Sequence, residues 1–301
     1  MTTTAPYGAW RSPISSEVIV SSSIRLGGMQ IDGSDIYWSE LRPTEAGRSI
    51  IVRRTADGET TDITPADFNV RTRVHEYGGG AYWVDQEDIF FANFLDQRLY
   101  QQSSSASPQA LTPETAFRYA DGVVDRAGQR LICVREDHTA PEAVNTIVAI
   151  SLVDQVQTVL VSGSDFYSSP RLSPDGKTLS WLSWNHPNMP WDGTELWVAE
   201  IGADGTLSNP QAVAGGLNES IFQPQWSPDG VLHFVGDATG WWNLYRWSNQ
   251  AVEALCPLEA EFGEPHWVFG MSTYGFTADG QIVCTYKLDG AQHLAQIDPK
   301  T

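Results

Sequence analysis

The 301-residue chain carries a formal net charge of −19, with 37 acidic and 18 basic side chains. This balance argues against a nucleic-acid-binding or anionic-membrane-binding surface, because both need clusters of Lys and Arg. The length would ordinarily suggest two domains, but 26 Gly, 17 Pro and 12 Trp indicate one repetitive domain of many short strands joined by many turns.

The start of the chain and its cysteines predict a cytoplasmic protein. The first ten residues contain neither a basic cluster nor an apolar run, so no signal peptide is predicted, and no apolar stretch is long enough to cross a bilayer. Cys133, Cys256 and Cys284 are odd in number and far apart. We therefore expect free thiols in a reducing compartment rather than a disulfide framework.

A short sequence motif, a tight turn followed by apolar and aromatic residues, occurs six times along the chain. Its clearest copies are the Ser-Pro-Asp-Gly turns at 173–176 and 227–230. The copies are spaced about 42 to 54 residues apart, which is typical of one four-stranded propeller blade. We predict an all-β fold, a β-propeller of about six four-stranded antiparallel blades.

Two domain assignments follow: residues 1–23 form an irregular leader, and residues 24–301 form the propeller. The predicted strands, blade by blade, are 35–41, 49–54 and 61–65; 80–84, 88–94, 98–102 and 109–113; 122–125, 130–136, 146–152 and 157–162; 170–173, 178–184, 195–201 and 211–214; 223–227, 231–236, 243–247 and 252–256; and 267–272, 275–277, 281–286 and 293–297. The last blade lacks a closing strand. Because an open ring exposes sheet edges, we expect the closing strands to lie beyond the given sequence.

No motif in the sequence indicates a catalytic centre. A Gly-x-Ser-x-Gly nucleophile elbow is absent, and the six histidines have no ligand spacing. The glycines at 78–80 are not followed by the Lys-Ser/Thr pair of a phosphate-binding loop. We therefore predict no catalytic residue, no metal site and no cofactor in this chain.

Three segments, 69–80, 184–193 and 239–246, contain more charged, aromatic, Gly and Pro residues than a plain scaffold requires. One explanation is loop packing against a neighbouring blade. The other is contact with a ligand or a docked domain, since binding residues are often placed on loops held by a rigid scaffold.

These segments also carry a family resemblance. The chain resembles the N-terminal β-propeller of bacterial prolyl oligopeptidase family serine peptidases, in the acylaminoacyl-peptidase or dipeptidyl-aminopeptidase-like branch. The similar stretches are 7–14, 73–80, 165–176, 184–197 and 239–246. The stretch at 184–197 is the specific one, because Ser-Pro-Asp-Gly turns occur in many propellers.

The resemblance implies a propeller that caps a C-terminal α/β-hydrolase domain of the same parent chain and admits only short peptides. That domain carries the family's Ser-Asp-His triad, so no peptidase activity is expected of this chain alone. The leader resembles the segment that reaches back to the hydrolase, and Glu76 is a candidate to bind the free amino group of a substrate. The residues then expected to face the hydrolase or the substrate are Arg73, His75, Glu76, Trp191, Asp192, Trp241 and Trp242.

Two other functions stay open. A stand-alone propeller could serve as a protein-interaction module, although such a propeller should close its ring within its own sequence. An enzyme could instead use the channel of the propeller, but no paired carboxylates or metal ligands can be identified from residue spacing. The lid of a serine peptidase is the favoured hypothesis, and the interaction module is the alternative.

Overall fold

The computed structural model describes residues 4–20, 23–103 and 106–299. Residues 1–3, 21 and 22 of the predicted leader, and residues 104, 105, 300 and 301 of the predicted propeller domain, lie outside the described residues. The chain divides into two compact units, Met1–Val70 and Arg71–Thr301.

The first unit contains a short helix and one four-stranded antiparallel blade. In chain order its elements are α1 (Ser16–Val20), β1 (Arg25–Asp32), β2 (Asp35–Arg42), a 3-10 turn (Pro43–Glu45), β3 (Arg48–Arg54) and β4 (Thr60–Asp62). The predicted first blade omits β1, because the pair Gly27-Gly28 interrupts its apolar alternation. Gly28 has a φ of 58°, and the pairing of β1 with β2 shifts register there.

The second unit contains five more antiparallel sheets, four of them with four strands and the last with three among the described residues. Blade by blade, the strands are β5 (Tyr82–Asp85), β6 (Asp88–Ala92), β7 (Leu99–Gln102) and β8 (Gln109–Ala110); β9 (Phe117–Asp125), β10 (Arg130–Asp137), β11 (Val144–Ser151) and β12 (Gln157–Val161); β13 (Phe166–Leu172), β14 (Thr178–Trp184), β15 (Glu195–Ile201) and β16 (Leu207–Gly215); β17 (Ile221–Trp226), β18 (Leu232–Gly236), β19 (Asn243–Ser248) and β20 (Ala251–Ala254); and β21 (Tyr274–Phe276), β22 (Ile282–Leu288) and β23 (Ala291–Ile297).

The predicted fold class is confirmed: the described residues form an all-β propeller of six antiparallel blades. One predicted strand, 267–272, is wrong. That segment is irregular, and its one bridge pairs Phe269 with Gly79 of the segment before blade two. The apolar and aromatic residues of 267–272 have the composition of a strand. The segment pairs, however, with the segment before blade two and not with a strand of blade six.

The core of the second unit lies between successive blades. Four clusters of buried side chains occupy the boundaries between blades two and three, three and four, four and five, and five and six. Ile221 and Phe222 show how this arises, because neighbouring residues of a strand point to opposite faces of the sheet. Ile221 packs with Leu196 of blade four, while Phe222 packs with Tyr274 of blade six. The inner strands are therefore apolar on both faces.

Bulges in the first strands of blades three, four and five take part in contacts between neighbouring blades. The bulges contain Asp121, Ser169 and Gln223, with φ values of 50°, 54° and 50°. A bulge interrupts the ladder and re-aims a side chain. Gln223 Oε1 thus accepts a hydrogen bond from the backbone N–H of Thr273 at 2.7 Å, which ties blade five to blade six. The backbone N–H of Asp121 binds the carbonyl of Gly80 at 2.9 Å, which ties blade two to blade three.

Candidate functional site: an aromatic cavity on one side of the blades

The topology of the second unit brings the predicted site residues to one side of its blades. In an antiparallel blade, the connection from the second to the third strand and the connection to the next blade lie at the same end of the strands. The predicted residues lie in three such connections, at 71–81, 185–194 and 237–242. The Ser-Pro-Asp-Gly turns, which join first to second strands, lie at the opposite end. The residues on this side are Arg73, His75, Glu76, Trp191, Asp192, Trp241 and Trp242.

A cavity of about 180 Å³ lies on this side, and we call it the aromatic cavity. Its walls come from three parts of the chain that are distant in the sequence, together with Phe166 and Ser168 of β13: His75, Tyr77 and Gly78; Trp184 and residues 186–191; and residues 266–269. Of the seven predicted residues, His75 and Trp191 line the cavity. The other five do not. The structure therefore joins two of the three unusual segments in one site and adds a third wall, 266–269, that the sequence analysis missed.

His75 forms one wall of the aromatic cavity. Its backbone is in the left-handed region, with a φ of 52°, and its N–H donates to Glu136 Oε1 at 3.1 Å. The imidazole lies edge-on to Phe166 and at an angle to Phe269, with ring centroids 5.1 and 4.7 Å away. Burial, aided by nearby His266, lowers the pKa of His75 from 6.5 to about 4. The ring is therefore neutral at pH 7.

His266 forms the facing part of the wall and was not predicted. Its ring meets the Phe222 ring edge-to-face, with centroids 5.6 Å apart. Burial lowers the pKa of His266 to about 4, although Asp121 acts in the opposite direction. No local signal could have paired it with His75, because the two histidines lie almost at opposite ends of the second unit's sequence. Their segments meet at the bridge between Gly79 and Phe269 and in the ring contact between Tyr77 and Trp267.

Trp191 and Trp267 stand together at the cavity, with ring centroids 4.3 Å apart and an interplanar angle of 44°. Trp267 is 52% exposed, so this wall reaches the surface. The loop that carries Trp191 is held in place by its own polar contacts. Asp192 Oδ2 accepts a hydrogen bond from the Met189 N–H at 2.9 Å, and the Ser220 hydroxyl donates to the Pro190 carbonyl at 2.9 Å.

An ion-pair network contains Glu76. Arg118 Nη1 lies 2.9 Å from Glu76 Oε1 and 3.3 Å from Glu136 Oε2, and it also donates to the carbonyl of Arg73 at 3.1 Å. His138 Nε2 lies 2.7 Å from the same Glu136 oxygen. Arg118 lowers the pKa of Glu76, whose side chain is 75% exposed. Glu76 thus presents an ionised carboxylate to solvent, already paired with one arginine. Its role toward a substrate amino group stays a prediction.

Arg73, Trp241 and Trp242 have different surroundings. The Arg73 guanidinium carbon lies 4.5 Å from the centroid of the Phe94 ring. Trp242 stacks on Phe222 with centroids 5.9 Å apart and packs against the core between blades five and six. Trp241 is 38% exposed. Of the adjacent tryptophans, Trp242 therefore has a packing role, whereas Trp241 is available at the surface.

Two properties concern the whole described part of the chain. Among residues 4–20, 23–103 and 106–299, no group of three or more His, Cys, Asp or Glu side chains is arranged to hold a metal ion. Within the same ranges, no helix has the length and apolar character needed to traverse a bilayer.

Comparisons with known proteins assign the family. No protein-family model and no curated protein sequence matches the chain. The crystal structure of puromycin hydrolase matches at 36% identity with a TM-score of 0.90, over 99% of this chain and 49% of that one. A puromycin-hydrolyzing peptidase from Mycobacterium tuberculosis matches at 36% identity with a TM-score of 0.89, over the same shares of the two chains.

A more distant structure shares the fold. Prolyl oligopeptidase B from Galerina marginata matches at 11% identity with a TM-score of 0.65, over 92% of this chain and 43% of that one. The chain spans about half the length of the two puromycin-hydrolysing proteins, at 49% of each. Its blades account for the half that it matches. The chain therefore belongs to the puromycin hydrolase and prolyl oligopeptidase family, of which it is the β-propeller part.

Proposed function

We propose that this propeller is the substrate-selecting lid of a serine peptidase that acts on short peptides, and that it is not catalytic by itself. The observation that carries the proposal is the 36% identity over 99% of this chain to half of puromycin hydrolase. A propeller is a scaffold, and the chemistry of such a protein belongs to loops, to the channel or to a second domain. The second domain proposed is an α/β-hydrolase in the same parent chain.

The finer assignments belong to the same proposal. Residues 1–23 form the leader that reaches toward the hydrolase, and residues 24–301 form the propeller domain. The parent protein is a bacterial, cytoplasmic enzyme of the acylaminoacyl-peptidase or dipeptidyl-aminopeptidase type. A reducing location is in keeping with the free thiols of Cys133 and Cys284, which are both buried.

The side of the blades that carries the aromatic cavity is the side proposed to face the hydrolase and the substrate. It holds exposed groups able to contact a peptide: the ionised Glu76, the exposed Trp241 and Trp267, and Arg73. The opposite side carries the turns that join first to second strands and the connections from third to fourth strands.

The reading frame after Thr301 in the parent gene tests the proposal first. A frame that encodes an α/β-hydrolase with a Gly-x-Ser-x-Gly motif supports the lid. A stop codon directly after Thr301 overturns it and favours the alternative, a propeller that acts as a protein-interaction module.

Peptidase activity gives the second test. The parent protein should hydrolyse a chromogenic dipeptide anilide and be inactivated by a serine-directed inhibitor, whereas the 301-residue chain should show no turnover. The kcat/KM of the parent protein should also fall steeply between a tetrapeptide and an unfolded protein substrate. Equal rates for both would contradict substrate selection by the propeller, and inhibitor-sensitive turnover by the chain alone would show that it is catalytic.

A further inference from the structure

Arg71 and Arg73 place two guanidinium groups against one phenyl ring. The guanidinium carbon of each arginine lies 4.5 Å from the centroid of the Phe94 ring. Residues 70–74 alternate between buried and exposed, and the two arginines hold the exposed positions. Since alternate residues of an extended chain share a face, both side chains leave the segment on the same side. We call Arg71, Arg73 and Phe94 the arginine cluster.

Hydrogen bonds fix the position of the arginine cluster. The Arg71 N–H donates to the Ala92 carbonyl at 3.2 Å, and the Arg73 N–H donates to Gln97 Oε1 at 2.8 Å. Ala92 ends β6, and Gln97 belongs to the connection that also carries Phe94. The segment with the arginines is thus tied to the connection with the ring. A guanidinium held over an aromatic ring has less freedom to lose when it binds a ligand.

The charges of the two arginines are not neutralised within the described part of the chain. Neither side chain forms an ion pair or a hydrogen bond with a described residue. Two neighbours on the same side of the blades differ, because Arg98 donates to a backbone carbonyl at 2.7 Å and Arg118 pairs with Glu76 at 2.9 Å. Glu76 attracts Arg73 only from beyond ion-pair distance. Two like charges that share one ring repel each other, and an anion bound between them would relieve this repulsion.

The chemistry of the arginine cluster selects a carboxylate. A guanidinium presents its N–H donors in one plane and keeps its charge, and paired N–H groups match the two oxygens of a carboxylate. The phenyl ring of Phe94 offers no strong acceptor, so these donors stay available to a ligand. A polyanion such as nucleic acid is disfavoured because the chain carries a net charge of −19, whereas a single carboxylate responds mainly to the two nearby arginines.

We propose that Arg71 and Arg73 bind the C-terminal carboxylate of a short peptide, with Phe94 holding both guanidinium groups in place. The cluster lies on the side of the blades proposed to face the substrate, because the segment with the arginines and the connection with the ring both lie at that end of the strands. The segment continues into His75 and Tyr77, which line the aromatic cavity on this side. That the peptide is a substrate rests on the proposed function, and it narrows the substrate class to short peptides with a free C-terminus. Binding of the carboxylate to the propeller does not depend on that function.

Binding of small peptides to the 301-residue chain tests the proposal. The probes are N-acetyl-trialanine with a free C-terminal carboxylate, its C-terminal amide, and inorganic phosphate, each titrated by ligand-observed NMR at the same ionic strength. The free acid should saturate one site and bind at least about fivefold more tightly than the amide, because only the acid can pair with the guanidinium groups. Equal affinity for acid and amide, no saturation by the acid, or tighter binding of phosphate than of the acid would overturn the proposal.

Matched variants locate the site. Arg71→Gln/Arg73→Gln removes both charges and should abolish the preference for the acid over the amide. Arg71→Lys/Arg73→Lys keeps the charges but loses the planar donors, so it should bind the acid at least about threefold more weakly than the wild type. Arg126→Gln is the control, because Arg126 lies on the opposite side of the blades and is paired with Asp85 at 2.6 Å, and it should keep the wild-type affinity.

Two results would refute the assignment to these arginines. One is an equal loss of affinity in the glutamine double variant and in Arg126→Gln, with native circular dichroism in each. The other is full affinity in the lysine double variant, which would show that charge alone, without paired N–H donors, accounts for binding.

The parent protein shows whether the carboxylate belongs to a substrate. Its KM for tetraalanine should be lower than its KM for tetraalanine amide, and the two values should become equal in the glutamine double variant. Equal KM values in the wild-type protein, with binding of the acid by the 301-residue chain, would assign the cluster to a carboxylate elsewhere in the parent protein and overturn its role toward substrate.

The binding result and the lid proposal fail separately. A chain that binds no probe still leaves the hydrolase reading frame and the tetrapeptide preference to decide whether the propeller is a lid. A stop codon after Thr301 refutes the lid, but carboxylate binding by the chain would stand.

Discussion

Asp121 Oδ2 accepts a hydrogen bond from the backbone N–H of Ser169 at 2.6 Å, across the boundary between blades three and four. The other carboxylate oxygen lies 3.0 Å from Nη1 and Nη2 of Arg171. Asp121 is 2% exposed, so its charge depends on these partners rather than on water. One side chain thus links the bulges of two neighbouring blades and neutralises an arginine beside them.

Replacing Asp121 should therefore destabilise the protein strongly. Asp121→Ala removes the partner of the buried Ser169 N–H and of the Arg171 guanidinium, whose side chain is 30% exposed, and leaving a buried donor unpaired costs roughly 1–3 kcal/mol. Urea unfolding measures the change in the free energy of unfolding. Glu142→Ala, at an exposed position, is the control and should change stability by less than about 0.5 kcal/mol. A loss below 1 kcal/mol for Asp121→Ala would show that blades three and four do not depend on this contact.

Two glycines with similar backbones should respond differently to alanine. Gly79 and Gly240 have φ values of 89° and 82°, so both substitutions strain the backbone by roughly 1–2 kcal/mol. A Cβ on Gly79 would also overlap the Phe269 carbonyl oxygen and lie 2.7 Å from its nitrogen, whereas a Cβ on Gly240 meets nothing within 4 Å. Gly79→Ala should thus lower the melting temperature clearly more than Gly240→Ala. Equal shifts would mean that the bridge between Gly79 and Phe269 adds no stability.

The adjacent tryptophans form another matched pair. Trp242→Ala removes a ring packed on Phe222 and should cost about 3 kcal/mol, near the lower end of Trp→Ala losses in cores. Trp241→Ala removes a ring that is 38% exposed and should cost less than about 1 kcal/mol. Chemical unfolding of both variants measures the difference. A larger loss for Trp241→Ala would reverse the structural assignment of the two residues.

Stability should fall as the pH decreases from 7 to 5. Burial lowers the pKa of His75 and of His266 from 6.5 to about 4, so between these values the unfolded chain binds more protons than the folded chain. Their stabilising effect is complete above pH 6.5 and is lost as the pH falls toward 4. At pH 5 the loss is up to about 2 kcal/mol for each histidine.

Urea unfolding at several pH values tests this dependence. The double variant His75→Gln/His266→Gln should show a clearly shallower fall in stability from pH 7 to pH 5, whatever its stability at pH 7. His233, whose pKa is also lowered by burial, contributes in the same direction and remains in both proteins. An unchanged slope in the double variant would contradict the low pKa values.

The fold could be predicted because its signals are local. Each Ser-Pro-Asp-Gly turn and each apolar run lies within one hairpin, so the period of the blades is visible in the sequence. The errors occur where a segment depends on a distant partner. Strand β1 was missed because the Gly27-Gly28 bulge interrupts its pattern, and 267–272 was wrongly assigned because its pairing partner, Gly79, lies in the distant segment before blade two.

The site was predictable only in part, for a related reason. His75 and Trp191 belong to segments whose composition is unusual, and both line the aromatic cavity. His266 and Trp267 belong to a segment that resembles an ordinary strand, so nothing local distinguishes them. Nor could the sequence separate Trp241 from Trp242, because exposure and packing of adjacent residues depend on neighbours that fold against them, such as Phe222.

The contact between Trp191 and Trp267 has a consequence for how the folding of this protein can be followed. The two indoles lie 4.3 Å apart, yet they are carried by the connection within blade four and by the segment before blade six. Their close approach exists only while those distant parts of the chain are docked together. The near-ultraviolet circular dichroism of this pair therefore reports the docking of these distant parts of the chain. Far-ultraviolet circular dichroism, in contrast, reports the strands of the individual hairpins.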